Sequence, residues 1–156
     1  MEPSCPFCAP AIRRSVFAES DGFLALYNIA PILPGHALVI PRAHRRSLMD
    51  LDAAELAEFT GFARETTGLL LRAFAATGFD WSIQDGTEAG QTVPHLHLHI
   101  IPRASGDLPD PGDWYLLLRR SREERIDEAA RPRLSDAEMD GIVAHLRGLA
   151  EPRAPR

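Results

Sequence analysis

The sequence predicts an α+β fold: an antiparallel sheet of about five strands, one long helix and a carboxy-terminal helix. Three observations predict it, namely short apolar runs separated by glycine-containing turns, a long stretch of helical periodicity opened by a capping box, and a second such stretch near the end. With 156 residues, 45% of them hydrophobic, the chain is long enough to bury one good core. We therefore expect a single domain over residues 1–150 and a frayed tail over 151–156.

The amino-terminal third predicts three strands. Residues 16–18 and 23–27 are apolar runs on either side of Ser20-Asp21-Gly22, a pattern typical of a hairpin. Two prolines and a glycine make residues 29–35 a loop. Residues 36–40 then form a third strand, which Pro41 ends.

A capping box opens the main helix, because Asp52 is followed three residues later by Glu55. We expect this helix to extend to about Ala76 and to end before Gly78. Apolar residues recur at helical spacing and predict one buried face. These residues are Leu56, Phe59, Ala63, Leu70 and Phe74.

Two more strands are predicted at residues 79–84 and 95–101, on either side of the polar loop 85–90. With the first three they make a sheet of about five antiparallel strands. Residues 104–113 form a further loop, and the apolar residues 114–118 fit a helix or a strand equally well.

The charged residues 119–133 are interpreted as a solvated surface. Ser135 and Glu138 form a second capping box, which opens the carboxy-terminal helix. His145 lies off the apolar face of this helix, so we expect it to face solvent. The apolar face comprises Met139, Ile142, Val143, Leu146 and Leu149.

All 17 basic side chains are arginines, because the sequence contains no lysine. The absence excludes a complete Walker A loop, Schiff-base and pyridoxal-phosphate enzymes, and ligases that adenylate a lysine. Together with 22 acidic residues, the arginines leave a net charge of −5. This balance argues against general nucleic-acid binding, although local groups can still hold a small anion.

The sequence also indicates a compartment. No run approaches the roughly 20 apolar residues of a membrane span, and the start of the chain lacks the basic and apolar regions of a signal peptide. We therefore expect a cytoplasmic protein without a membrane partner. In such a reducing compartment Cys5 and Cys8, spaced C-x-x-C, indicate a metal pair or a redox pair rather than a disulfide.

Three of the six histidines, His95, His97 and His99, alternate with apolar residues. On a strand the three imidazoles share one face, while Leu96 and the following apolar residues point into the core. A half-buried strand with a histidine face is a weak explanation, since neighbouring imidazoles discourage one another's protonation. A three-histidine metal site is also disfavoured, because alternate residues on one strand spread over about 13 Å. We therefore expect a functional site.

The segment from Gln84 to Arg103, QDGTEAGQTVPHLHLHIIPR, resembles the histidine triad superfamily, and most closely its fragile-histidine-triad branch of dinucleoside polyphosphate hydrolases. Asn28, the Pro34-Gly35-His36 turn, the long helix and residues 81–84 follow in the family's order. The resemblance covers most of residues 7–150.

The resemblance implies that His97 attacks the α-phosphorus of a nucleotide and forms a covalent nucleotidyl-histidine, which water then opens. Only the neutral tautomer, with one ring nitrogen carrying a lone pair, can do this, and a carbonyl bonded to the other N–H would fix that tautomer. An ordinary histidine pKa of about 6.5 leaves most of the side chain neutral at pH 7.

The resemblance also assigns the surrounding polar side chains. His99, Gln84 and Thr92 would donate to the phosphate, with Gln84 nearest the leaving-group oxygen, because such transfer depends on positioning and electrostatics. His36 would lie behind the triad. The substrate-binding residues are Asn28, Gln91, Thr92 and His99. Structural roles are the alternative for two of them, a strand-end cap for Asn28 and a local backbone bond for Thr92.

The cysteine pair departs from the fragile-histidine-triad branch, which lacks it. Other superfamily members, including the galactose-1-phosphate uridylyltransferases, carry a C-x-x-C pair together with two histidines. The resemblance therefore implies a structural zinc site of Cys5, Cys8, His44 and His95. A redox pair remains the alternative, although Cys5 neither follows a strand nor opens an evident helix.

The implied function is hydrolysis of a dinucleoside polyphosphate, such as diadenosine tri- or tetraphosphate, at the α-phosphate. The alternatives are a nucleoside phosphoramidase, a diadenosine polyphosphate phosphorylase, and a non-enzymatic nucleotide-binding sensor. Mg²⁺ would accompany the nucleotide substrate. Resemblance alone implies a homodimer formed through the long helix and a sheet edge.

Overall fold

A five-stranded antiparallel sheet with the strand order β1-β2-β3-β5-β4 lies at the centre of the fold. The computed structural model describes residues 5–123 and 131–150, without the side chains of residues 119–123. Its strands are β1 Val16–Glu19, β2 Phe23–Tyr27, β3 Ala37–Pro41, β4 Gly78–Ser82 and β5 Leu98–Arg103. Its α-helices are α1 Ala53–Ala73, α2 Asp113–Glu123 and α3 Asp136–Leu149. The predicted α+β class and the five antiparallel strands are confirmed.

Strand β5 lies between β3 and β4 and carries the end of the histidine motif into the sheet. His99 pairs with Leu38 of β3 on one side and with Ser82 of β4 on the other. The predicted hairpin of β1 and β2 is confirmed, with Val16 opposite Leu26. These pairings place the histidines next to the ends of β3 and β4.

The predicted start of the last strand is wrong by three residues, because β5 begins at Leu98 rather than at His95. The amide of Leu96 donates to the carbonyl of Arg45 at 2.7 Å, outside the sheet. His95 and His97 therefore precede the sheet ladder. Leu98 and Ile100 lie in the core as predicted, but all three histidines are also buried, so both faces of the motif are covered.

Helix α1 covers one face of the sheet, and both predicted capping boxes are present, at Asp52–Glu55 and Ser135–Glu138. The helix ends at Ala73 rather than near Ala76, because Ala75 takes the left-handed turn, with a φ of 50°.

The predicted buried face of α1 is partly wrong. Leu56 is 41% exposed, because the core under the helix begins one turn later, at Phe59. The stripe also includes polar side chains. Its buried residues are Phe59, Phe62, Ala63, Thr66, Thr67, Leu69 and Leu70.

The apolar residues 114–118, which fitted either element, are part of helix α2. The loop before α2 is anchored by Arg103, whose guanidinium donates to Asp107 at 2.8 Å through both Nε and Nη2. This pairing lowers the pKa of the Asp107 carboxyl to about 2.

Helix α3 packs its buried residues Met139, Val143 and Leu146 into the same core as α1. Leu149, predicted to lie on this face, is 41% exposed in the last turn. His145 faces solvent as predicted. The predictions for residues 124–130 and for the tail 151–156 lie outside the described residues.

None of the helices in the described ranges combines the length and the apolar character that crossing a bilayer requires.

Candidate functional site

Four side chains from three distant segments meet beside the start of the histidine motif. Cys5 and Cys8 come from the amino-terminal turn, His44 follows β3, and His95 precedes β5. Their ligand atoms all lie within 4.8 Å of one another. The Nδ1 atom of His95 is 3.5 Å from Cys5 Sγ, and that of His44 is 3.4 Å from Cys8 Sγ. This geometry places four donors close enough to bind one metal ion.

The tautomer of His95 suits a metal ligand. Its Nε2–H donates to the Pro41 carbonyl at 2.9 Å, so Nδ1, which faces the cysteines, carries the lone pair. Burial lowers the pKa of His95 and keeps the ring neutral. Cys5 and His95 are buried, and both cysteines are free of disulfides. The donor chemistry therefore fits a metal ion, and the Pro41 carbonyl is a supporting group that the sequence did not indicate.

The side chain of His97 is bonded to the backbone two residues earlier. Its Nδ1 lies 2.8 Å from the carbonyl oxygen of His95, which can only accept. The ring proton is therefore on Nδ1, and Nε2 carries the lone pair. This is the tautomer that nucleophilic attack requires.

A buried histidine pair determines the tautomer of His99. The Ile32 amide donates to His36 Nδ1 at 3.1 Å, so the proton of neutral His36 is on Nε2. That N–H points to His99 Nδ1, 3.0 Å away. Nδ1 of His99 therefore accepts, and its Nε2 carries a proton that it can donate to an anionic ligand.

His36 is held in its neutral form. Burial, with the positive charge of Arg131 as a smaller cause, lowers the pKa of His36 to about 3. The side chain is fully buried, and its ring centroid lies 5.2 Å from that of His99. At neutral pH this histidine is consequently a fixed hydrogen-bond donor.

Asn28 lies at the other end of the same cluster. Its Oδ1 accepts from the Ala30 amide at 2.9 Å, which sets the orientation of the amide. Its Nδ2 then lies 3.3 Å from His36 Nε2, a contact between two N–H groups rather than a hydrogen bond. The structure thus brings Asn28 next to the histidine pair and fixes the orientation of its amide.

Gln84 follows β4 and is 6% exposed. Its Nε2 bonds to the hydroxyl of Ser82, and its Oε1 has no hydrogen-bond partner among the residues that the structure describes. A hydroxyl can donate or accept, so turning the amide over keeps this bond and presents an N–H group instead. Gln84 can therefore offer either a donor or an acceptor.

The side chains of Asp85 and Gln91 join the loop after β4 to residues 46–48. Gln91 accepts from the Gly86 amide at 2.8 Å and donates to the Arg46 carbonyl at 2.9 Å. Asp85 accepts from the Leu48 amide at 2.7 Å. The side chain of Gln91, predicted to bind substrate, is thus bonded to the backbone of Gly86 and Arg46, whereas Thr92 is exposed beside it.

Comparisons with known proteins agree with this site. A HIT domain model matches residues 9–106. The chain is 42% identical over 99 residues to a bis(5'-nucleosyl)-tetraphosphatase (asymmetrical) of Schizosaccharomyces pombe, covering 64% of this chain and 54% of that protein, so it spans about half of that relative. It is 35% identical over 141 residues to a bis(5'-adenosyl)-triphosphatase of Dictyostelium discoideum, covering 90% and 89%. A solved zinc-bound histidine triad family protein of Mycobacterium smegmatis superposes with a TM-score of 0.62 at 28% identity, covering 94% and 98%.

Proposed function

The chain belongs to the HIT domain family, and on that premise we propose that it hydrolyses dinucleoside polyphosphates at the α-phosphate. The observation that carries the proposal is the bond from His97 Nδ1 to the His95 carbonyl, which leaves the lone pair on Nε2. The names of the two enzyme relatives support the substrate class. Diadenosine triphosphate and diadenosine tetraphosphate are the proposed substrates.

The reaction has two displacements at the α-phosphorus. The lone pair of His97 Nε2 attacks, a P–N bond forms, and the bond from phosphorus to the bridging oxygen breaks. The leaving nucleoside polyphosphate takes that electron pair. Water then attacks the same phosphorus, the P–N bond breaks, and a nucleoside monophosphate and two protons are released as His97 returns to its neutral state.

The neighbouring side chains would stabilise the charge that develops on the phosphate. His99 donates from Nε2, because His36 occupies its Nδ1. We assign Gln84 to the leaving-group oxygen, Asn28 to the ribose, and Thr92 to the phosphate. Each is a neutral donor or acceptor, so transition-state stabilisation relies on directed hydrogen bonds.

Mg²⁺ is proposed to enter with the substrate. Among the residues that the structure describes, the one His/Cys/Asp/Glu group with metal-binding geometry is the cysteine and histidine cluster. A divalent ion on the polyphosphate would therefore be held mainly by phosphate oxygens and water.

Product analysis tests the proposed function. The purified protein is incubated with diadenosine triphosphate, diadenosine tetraphosphate and an adenosine phosphoramidate, each with and without inorganic phosphate. We expect AMP together with ADP or ATP from the two dinucleotides. Products that incorporate phosphate would indicate a phosphorylase, preference for the phosphoramidate would indicate a phosphoramidase, and binding without turnover would indicate a sensor.

The metal is proposed to be zinc. Two thiolates and two neutral imidazoles form the Cys₂His₂ set that zinc takes in closed structural sites. A reducing cytoplasm, the proposed location, keeps both thiols available. The zinc-bound relative of known structure supports this choice.

A homodimer is proposed through β4 and α1. Strand β4 is at the edge of the sheet, and its Phe79 and Trp81 are 48% and 39% exposed on the same face. They line a surface groove of about 750 Å³ together with Gly61 and Leu71 of α1. An edge that pairs with no further strand in the described part of the chain, beside exposed aromatic rings, favours pairing with a second copy of the chain.

Phe79→Glu is expected to weaken self-association at least about tenfold, because it replaces an exposed aromatic ring of this surface with a charge. Sedimentation velocity over a concentration series measures the change. Met49→Glu is the matched control, since Met49 is 87% exposed and lies outside the groove. A wild-type protein that is monomeric at high micromolar concentration would contradict the proposal.

A further inference from the structure

The amino-terminal turn contributes one side chain to the triad that the reaction above does not use. Phe7 lies between Cys5 and Cys8, and its ring centroid is 5.6 Å from that of His95 and 5.4 Å from that of His97. The interplanar angles are 87° and 62°. A phenyl ring thus contacts the rings of both a metal-ligand candidate and the proposed nucleophile.

Two attachments hold Phe7 in place. The Cys8 amide donates to the Cys5 carbonyl at 3.0 Å, which closes the turn on which Phe7 is carried. The Phe7 side chain also packs against the smaller apolar cluster of the sheet. That cluster comprises Val16, Leu24, Leu26, Leu38 and Ile40. The ring is therefore anchored independently of His97.

The contact with Phe7 adds to the backbone bond of His97. The hydrogen bond from Nδ1 to the His95 carbonyl sets the tautomer of His97, whereas packing against the ring acts on the orientation of its plane. Phe7 contacts the ring, and the His99 ring, with its centroid 5.2 Å from that of His97, provides a second contact. A phenyl ring fits this place because it packs without competing for the lone pair on Nε2.

We propose that Phe7 is a positioning residue for the nucleophile, which fixes the plane of the His97 ring so that the Nε2 lone pair is aimed at the α-phosphorus. This inference rests on the proposed function. The C-x-x-C turn then has a second role besides its cysteines, since it supplies a wall of the active site. A misaligned nucleophile slows the chemical step more than it weakens substrate binding.

Kinetics on diadenosine triphosphate test the inference with three variants. Phe7→Ala removes the ring, Phe7→Leu keeps part of its volume, and Ile12→Ala is the matched control, because Ile12 packs against the same apolar cluster. We expect kcat to fall about tenfold or more in Phe7→Ala, with KM within about twofold of wild type. Phe7→Leu should show an intermediate kcat, and Ile12→Ala should stay within about twofold. Bound metal is measured in each variant. If Phe7→Ala has lost its metal, the kcat of Phe7→Leu is used to test the inference.

A second measurement does not depend on turnover. In ¹⁵N-labelled protein, the Nδ1–H proton of His97 should exchange slowly, because it is bonded to the His95 carbonyl. Faster exchange is expected in Phe7→Ala but not in Ile12→Ala. Unchanged kcat in both Phe7 variants, or unchanged exchange of this proton, would overturn the inference. If the wild-type protein hydrolyses no dinucleotide, the proposed function fails, and the exchange measurement alone decides whether Phe7 positions His97.

Discussion

His97→Ala is expected to lower kcat for diadenosine triphosphate at least about a thousandfold, because removing a covalent nucleophile leaves only binding and electrostatic effects. His97 combines a tautomer fixed at Nδ1 with a lone pair on Nε2, and an alanine supplies no such nitrogen. Steady-state rates with AMP quantified by chromatography measure the loss. KM should change far less than kcat, since the phosphate donors remain.

His145→Ala is the matched control for this substitution. It removes the same side chain from an exposed position on α3, and its activity should equal that of the wild type. Rapid mixing followed by mass spectrometry should detect an AMP adduct on the wild-type protein and none on His97→Ala. If His97→Ala kept more than about a tenth of the wild-type kcat, the covalent route would be wrong.

Cys5→Ser is expected to abolish stoichiometric zinc binding and to lower the thermal midpoint by roughly 10 °C. A metal present at a thousand times its Kd stabilises a protein by about 4 kcal/mol. Cys5 is buried and its Sγ is 3.5 Å from His95 Nδ1, so a hydroxyl there would leave three good donors. Elemental analysis and calorimetry, on protein purified without chelator, measure the two changes.

Chelator treatment provides the control for the cysteine substitution. It should lower the thermal midpoint of the wild type to about that of Cys5→Ser and should have little further effect on the variant. Wild-type protein that contains no zinc after purification without chelator would refute the zinc assignment. Cys5→Ser with full stability and full metal content would show that the cluster does not bind the ion through Cys5.

The elements that depend on neighbouring residues could be predicted well. Both capping boxes need side chains three residues apart, and both are present as predicted. The hairpin of β1 and β2 depends on one local turn. Prediction was weaker where residues distant in sequence determine the end of an element. The start of β5 is an example, because the Leu96 amide bonds to the Arg45 carbonyl instead of joining the sheet ladder.

The site shows the same division. The family resemblance predicted roles for the histidines, Asn28 and Gln84. The structure places three of these residues, His36, His99 and Asn28, in one cluster. The resemblance did not show that the amide of Gln91 would bond to the backbone of Gly86 and Arg46. The Pro41 carbonyl and the Phe7 ring were also missed, because backbone acceptors and packing contacts leave no residue-type signal in a sequence.

The cysteine and histidine cluster also joins parts of the chain that are far apart in sequence. Cys5 and His95 are 90 positions apart, and His44 lies between them. A metal shared by such residues acts as a cross-link, which restricts the conformational entropy of the unfolded chain much as a disulfide would. The ion would thus close two large loops, one from the cysteines to His44 and one from His44 to His95. Its release would free the amino terminus together with the segment that carries the nucleophile.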